Sequence, residues 1–211
     1  MPNIKKIDQD IPYDKKKQIT YIRNRPVKAS WSDKELIALC IAGKDSGYSR
    51  LYERYATSIY NSIYRLVNHV AEAEDLLQEV FVNVFSDVKR LTELDSFEAW
   101  TKRIAINKSI SHLRKRKMYF SDIDELKGDE LADQIDEEAA WQESRIEDIE
   151  RAIEQLPEMT KTVVNLYLFE DMSQEEIGKT LGLSHTAVRS QYHRAKSRIA
   201  QMIKEKACYG R

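Results

Sequence analysis

The chain has 211 residues, with 34 Lys or Arg against 35 Asp or Glu and a formal net charge of -1, so its length admits one large or two small domains and its total charge marks it as neither strongly basic nor strongly acidic. Cys40 and Cys208 stand far apart in sequence without metal-ligand spacing, which excludes a disulfide framework and suits a reducing, cytoplasmic setting. The N-terminal stretch MPNIKKIDQDIPYDKKK lacks the apolar centre of a leader, and no apolar run approaches membrane-spanning length, so no membrane insertion is expected.

With only six Gly and four Pro, and apolar residues recurring at helical spacing, the chain reads as all-α. The charge is segregated. Residues 1–31 form a basic extension, with eight Lys or Arg against three Asp in the first 30, and are expected to be disordered. Ser32 and Glu35 make a capping box that opens a short helix from Lys34 to Ala42, with Leu36, Ile37, Leu39 and Ile41. Gly43 to Gly47 breaks it. A long amphipathic helix follows from Tyr48, its stripe made by Leu51, Tyr52, Tyr55, Ile59, Ile63, Leu66 and Val67. Its tyrosines are expected to pack.

Residues 71–88 place Leu77, Val80, Phe81 and Val84 on a buried stripe and Glu72, Asp75, Gln78 and Glu79 on another face. Such a face is either solvated surface or a docking site for a basic partner. Residues 91–117 follow, capped by Asp95 with Glu98, with Phe97, Trp100, Ile104, Ile110 and Leu113 turned inward. Between Glu98 and Asp122 there are seven Lys or Arg and no acid. A basic helix ending in RKRK suits a nucleic-acid backbone. Then the charge inverts: residues 119–143 hold ten acids and one Lys, and residues 118–143 read as an acidic, flexible interdomain linker.

Helices resume at Ser144. Ile146, Ile149, Ile153 and Leu156 line one, which Pro157 stops. The next, Glu158 to Phe169, buries Val163, Val164, Leu166 and Tyr167. Ser173 and Glu176 make a further capping box, Gly182 suits the left-handed end of that helix, and Ser184 caps the last one. Val188, Tyr192, Ala195, Ile199 and Met202 form its buried stripe. Its opposite face carries Thr186, Arg189, Ser190, His193 and Ser197, and six Lys or Arg but no acid fall between Glu176 and Glu205. A short helix, a sharp turn and a basic, polar-faced helix are what major-groove binding needs.

These pieces resemble a known family. AEAEDLLQEVFVNVF, FEAWTKRIAINKSISHLRKRK and LPEMTKTVVNLYLFEDMSQEEIGKTLGLSHTAVRSQYHRAKSRI resemble three segments of bacterial sigma factors of the sigma-70 family, in the small extracytoplasmic-function group. They look like the polymerase-docking segment of region two, the helix that melts and reads the promoter -10 element, and region four, which reads the -35 element. The resemblance implies two small helical domains, residues 32–117 (region two) and 144–207 (region four), joined by the acidic linker. It implies core RNA polymerase and promoter DNA as partners, an anti-sigma factor as a further partner, and no cofactor or metal.

By the same resemblance, Asp75, Gln78 and Glu79 match positions that contact polymerase. Asn107 and Arg114 match the promoter-melting helix, where Lys108, Lys115 and Arg116 add backbone cations. The loop Lys89 to Ser96 matches one that captures a flipped-out base. Ser184, His185, Thr186, Arg189, Ser190, His193 and Arg194 match the -35 recognition positions. Ala187 and Gln191 depart from the family's usual Thr and Arg, which leaves Arg189 and Arg194 more of the phosphate contact.

Two other classes compete. An autonomous helix-turn-helix regulator would use the C-terminal helices alone and leave the basic helix before the linker idle. An enzyme would need a reactive cluster. His69, His112, His185 and His193 show no metal-ligand spacing, and no Gly-rich phosphate loop occurs.

Overall fold

A computed structural model describes residues 31–87, 90–91, 96–115 and 146–209, with side chains described for residues 31–87, 90–91, 96–115 and 148–206. The basic extension, apart from Trp31, lies outside the described residues, as do the acidic linker, Arg116 and most of the loop from Lys89 to Ser96. Among the described residues there are eight helices and no strand: α1 (Asp33–Ile41), α2 (Asp45–Val67), α3 (Val70–Ser86), α4 (Phe97–Lys115), α5 (Ile146–Glu154), α6 (Glu158–Leu168), α7 (Gln174–Leu181) and α8 (His185–Tyr209).

The described residues fall into two compact units. One runs to Asn61 and includes Ala71–Ala105; the other holds Ser62–Val70 and everything from Ile106 onward. Helices α2 and α4 therefore contribute to both.

In the first unit α1 starts where the capping box predicts. Ser32 Oγ accepts from the Glu35 amide at 3.3 Å, and Glu35 Oε2 accepts from the Ser32 amide at 2.6 Å. Leu36 and Cys40 of α1, Leu51 and Ile59 of α2, and Leu77, Val80, Phe81 and Val84 of α3 are all buried. The α2 tyrosines pack as ring pairs: Tyr48 on Phe85 with centroids 5.1 Å apart, Tyr52 on Phe81 at 4.7 Å, and Tyr55 on Phe97 at 5.2 Å. Edge-on and tilted rings of this kind favour one register over neighbouring ones.

A polar knot ties α1 to α2. Asp33 accepts from the Arg54 guanidinium and from the Tyr55 hydroxyl, each at 2.5 Å, and Arg54 also donates to the Trp31 carbonyl at 2.7 Å. Helix α4 is capped by Ser96, whose Oγ accepts from the Ala99 amide at 3.2 Å. Asp95 of the expected cap lies outside the described residues. Ser is a good N-cap residue, and Glu98 accepts from the Ser58 hydroxyl at 3.0 Å.

A buried thiol and a half-buried phenol should make this unit alkali-sensitive. Burial pushes the Cys40 thiol up to about 11, and burial together with the Asp33 carboxylate pushes the Tyr55 phenol up to about 12. Both folded values lie above the ordinary ones of 9.0 and 10.0. Their contribution is therefore intact below the ordinary values and is lost as pH rises through the folded ones. Thermal melts should lose stability from about pH 9 to about 12. Cys40→Ala combined with Tyr55→Phe should flatten that slope, and an unchanged slope would exclude these two groups as its source.

The second unit has two apolar clusters. In one, Leu66 of α2 and Ile106, Ile110 and Leu113 of α4 are buried with Met159, Val163 and Leu166 of α6, Ile177 and Leu181 of α7 and Val188 of α8. In the other, Ala152, Ile153 and Leu156 meet Val164 of α6 and Ala195, Ile199 and Ile203 of α8. Helix α6 is thus buried on several sides. At its start no side chain caps the free amides, and the first intrahelical bond runs from the Lys161 amide to the Pro157 carbonyl at 2.8 Å. Its Tyr167 packs at a tilt against Tyr192 of α8, with centroids 4.4 Å apart.

Candidate functional site

The helix-turn-helix is built by local rules. At α7 the predicted capping box is present. Ser173 Oγ accepts from the Glu176 amide at 3.2 Å, and Glu176 Oε2 accepts from the Ser173 amide at 2.9 Å. Gly182 ends the helix at φ 73°, left-handed as its position predicts. The Leu183 amide then donates back to the Gly178 carbonyl at 2.9 Å. Ser184 Oγ accepts from the Ala187 amide at 3.1 Å and starts α8.

The turn is tight enough that a Cβ at Gly178 would sit 2.8 Å from the Leu183 carbonyl oxygen, which is backbone and cannot swing aside. Gly178→Ala should therefore cost about 1–3 kcal/mol and loosen the angle between the two helices. Chemical denaturation checks this. A neutral result would mean that the turn relaxes freely.

Ile177, Leu181 and Val188 pin α8 to α7. That packing turns the rest of the first α8 turns outward. Ser184, His185, Thr186, Arg189, Ser190, His193 and Arg194 are all exposed, so the structure brings the whole predicted recognition set onto open surface. Behind it, Lys179 of α7 pairs with Glu175 at 2.7 Å, and that contact holds the Glu175 carboxyl below its usual range and the Lys179 amine above its own.

Gln191 stands apart from this set. It is 8 % exposed, and its Oε1 accepts from the Thr160 hydroxyl of α6 at 2.7 Å. The departure from Arg at this position thus serves a buried α6–α8 hydrogen bond. Four residues in sequence separate His193 from Arg189, but Gln191 falls half a turn away from that face.

On α3, Asp75, Gln78 and Glu79 are exposed, while Leu76, Leu77 and Val80 between them are buried. Glu72, predicted on the same face, is only partly exposed. Sequence reasoning passed over Glu74, Val82 and Asn83, which are also exposed, Val82 to 62 %. Val82 and Asn83 continue the face at helical spacing from Asp75 and Glu79, so the period alone could have found them.

On α4, Asn107, Arg114 and Lys115 are exposed, Lys108 is half-buried, and Ile106, Ile110 and Leu113 are buried. Seven residues, two helical turns, separate Asn107 from Arg114 and Lys108 from Lys115. They line one strip. Arg114 Nη2 donates to the Thr180 carbonyl at 3.0 Å. Of the predicted base-capturing loop, only Arg90, Leu91 and Ser96 are described. The Arg90 guanidinium lies 6.0 Å from the Trp100 ring centroid, and Leu91 is buried.

A helix-turn-helix with an open basic face, and a second helical unit with an acidic face, define a DNA-facing adaptor. The comparisons agree region by region. Residues 51–118 match the family described as Sigma-70 region 2, and residues 146–199 match Sigma-70, region 4, together more than half the chain. The ECF RNA polymerase sigma factor SigE of Mycolicibacterium smegmatis is 32% identical over 158 residues, covering 74% of this chain and 61% of that protein. The ECF RNA polymerase sigma factor SigW of Bacillus subtilis is 28% identical over 173 residues, covering 77% of this chain and 92% of that one. A solved structure of the sigma factor RpoE with the anti-sigma factor NepR from Bartonella quintana aligns with a TM-score of 0.48 and 19% identity, over 74% of this chain and 96% of that one. The chain belongs to the sigma-70 family, in its extracytoplasmic-function group.

Proposed function

We propose that this chain is a sigma factor: a non-enzymatic subunit that binds core RNA polymerase in the cytoplasm and directs initiation at a particular set of promoters. The observation that carries the reading is the match of two sigma regions in order, with Asp75, Gln78, Glu79, Asn107, Arg114 and Lys115 exposed in the first and the whole recognition set exposed in the second. Asp75, Gln78 and Glu79 dock polymerase, where exposed acids steer encounter with a basic partner. Asn107, Lys108, Arg114, Lys115 and Arg116 hold the opened -10 strand. Ser184, His185, Thr186, Arg189, Ser190, His193 and Arg194 read the -35 duplex in the major groove.

The domains assigned to these tasks are residues 32–117 and 144–207, and residues 118–143 tether them. The tether sets the effective concentration of one domain at its element once the other is bound. An anti-sigma factor of the kind present in the Bartonella quintana complex is a further partner. Among the described residues no helix is long and apolar enough to cross a membrane.

The test is co-elution. Mixed with sigma-free core polymerase, the full chain should move into the polymerase peak on gel filtration at near-equimolar ratio. A chain that stays in its own peak, yet binds duplex promoter DNA by itself, would be an autonomous regulator instead.

A further inference from the structure

Behind the reading face of α8 lies a buried polar pair. Thr160 and Gln191 are 3 % and 8 % exposed, and the Thr160 hydroxyl of α6 donates to Gln191 Oε1 of α8 at 2.7 Å. Two residues on, Thr162 donates its hydroxyl within its own helix, to the Glu158 carbonyl at 2.8 Å. Thr160 instead reaches a residue 31 positions away. Gln191 lies in the middle of the reading span. Arg189 and Ser190 precede it, His193 and Arg194 follow it, and all four are exposed.

Much of what holds α8 is apolar. Val188 packs with Ile177 and Leu181 of α7, and Ala195, Ile199 and Ile203 pack with α5 and Val164 of α6. The Lys206–Asp148 ion pair lies toward the far end of the helix. Apolar burial is non-directional, so it holds the helix against its neighbours but tolerates a small rotation about its axis. The readers do not tolerate one. A side-chain tip about 6 Å from the axis moves about 2 Å for a rotation of about 20°, and a hydrogen bond is lost over less than that. The Thr160–Gln191 bond is directional, and breaking it would strand buried polar atoms, so it singles out one rotation. Tyr167 against Tyr192, tilted by 49°, is a second α6 contact with a preferred geometry, at the residue next to Gln191.

We propose that Gln191 and Thr160 are positioning residues for promoter reading: their hydrogen bond fixes the rotation of α8, so that Arg189, Ser190, His193 and Arg194 meet the -35 base pairs in one arrangement. This rests on the sigma reading for what α8 reads, and on the hydrogen bond for how α8 is held. The role separates two properties. Stability does not need the pair, since replacing both partners by apolar groups of similar shape is nearly neutral. Discrimination between bases does need it, because a helix that rocks offers several alignments to several sequences.

The experiment compares Thr160→Val with Gln191→Leu, which leaves an apolar pair, against Thr160→Ser, which keeps the hydroxyl. The full chain with core polymerase is assayed on the promoter mapped by run-off transcription and on copies with single base-pair changes in the -35 element. In the wild type each wrong base pair should cost about 5- to 150-fold. The double variant should melt within about 4 °C of the wild type, yet its penalties should shrink to roughly threefold or less. Thr160→Ser should retain them. Nitroxide labels at Leu168→Cys of α6 and Arg198→Cys of α8, both exposed positions outside the reading set, report the rotation in the free chain, with Cys208→Ser and the buried Cys40 left in place. Their distance distribution should be narrow in the wild type and in Thr160→Ser, and broadened or shifted in the double variant. If that variant does not fold, Thr160→Val with Gln191→Met, whose unbranched chain matches Gln in length, takes its place. In a folded variant, unchanged base penalties, a uniform loss of affinity with the preferences intact, or an unchanged distance distribution overturns the proposal, as does an equal loss of discrimination in Thr160→Ser. A chain that directs no initiation with core polymerase sinks the sigma reading, while the label distances still decide whether the pair holds α8.

Discussion

Asp75→Lys combined with Glu79→Lys should weaken binding to core polymerase about a hundredfold, close to 3 kcal/mol, and leave the fold in place. The magnitude comes from replacing two attractive charges by two repulsive ones against a basic partner, where mismatched charges cost several kcal/mol. The fold should stand because both side chains are exposed, and the neighbours that do hold α3, Leu76 and Val80, are buried on its other side. Surface changes of this kind usually move stability by less than about 0.5 kcal/mol. Fluorescence anisotropy with labelled chain and core polymerase measures the first quantity and a thermal melt the second. Unchanged affinity with a lowered melting temperature would mean that the acidic face serves the bundle and not a partner.

Arg189→Ala should cost the polymerase complex about 1–3 kcal/mol on its own -35 sequence, or roughly 5- to 150-fold. Arg189 is one turn into α8, exposed, and flanked by Val188 on the buried side. That is where a recognition helix brings a side chain to base edges. The diagnostic is the pattern of loss. If Arg189 reads a base, single substitutions in the -35 element should become neutral at one position in the variant and stay costly at the others. Uniform loss across all templates would make Arg189 a phosphate contact and move the reading onto Ser190 and His193.

Local rules made much of this legible in the sequence. Both Ser–x–x–Glu capping boxes, the left-handed Gly182 and the stripe of Val188, Ala195 and Ile199 depend on neighbours within a turn or two, and the sequence displays such neighbours directly. The exposed faces of α3 and α8 followed from the same period. Contacts between residues distant in sequence were not legible. Gln191 looked like a surface position missing its Arg, and only Thr160, 31 residues away, explains its burial. The Asp33–Arg54–Tyr55 knot spans more than 20 residues, and nothing in the spacing of an exposed-looking Asp announces it. Ile110 and Leu113 were expected to turn inward. That α6 and α7 would share their cluster could not be read from α4, because an apolar stripe names no partner.

The most direct measurement is run-off transcription with sigma-free core polymerase and the purified chain, on DNA from the chain's own upstream region and a panel of further promoters from its genome. The account predicts a product with one defined start that depends on the chain and disappears with Asp75→Lys and Glu79→Lys. Absence of any product, with no co-elution of chain and polymerase, would contradict it.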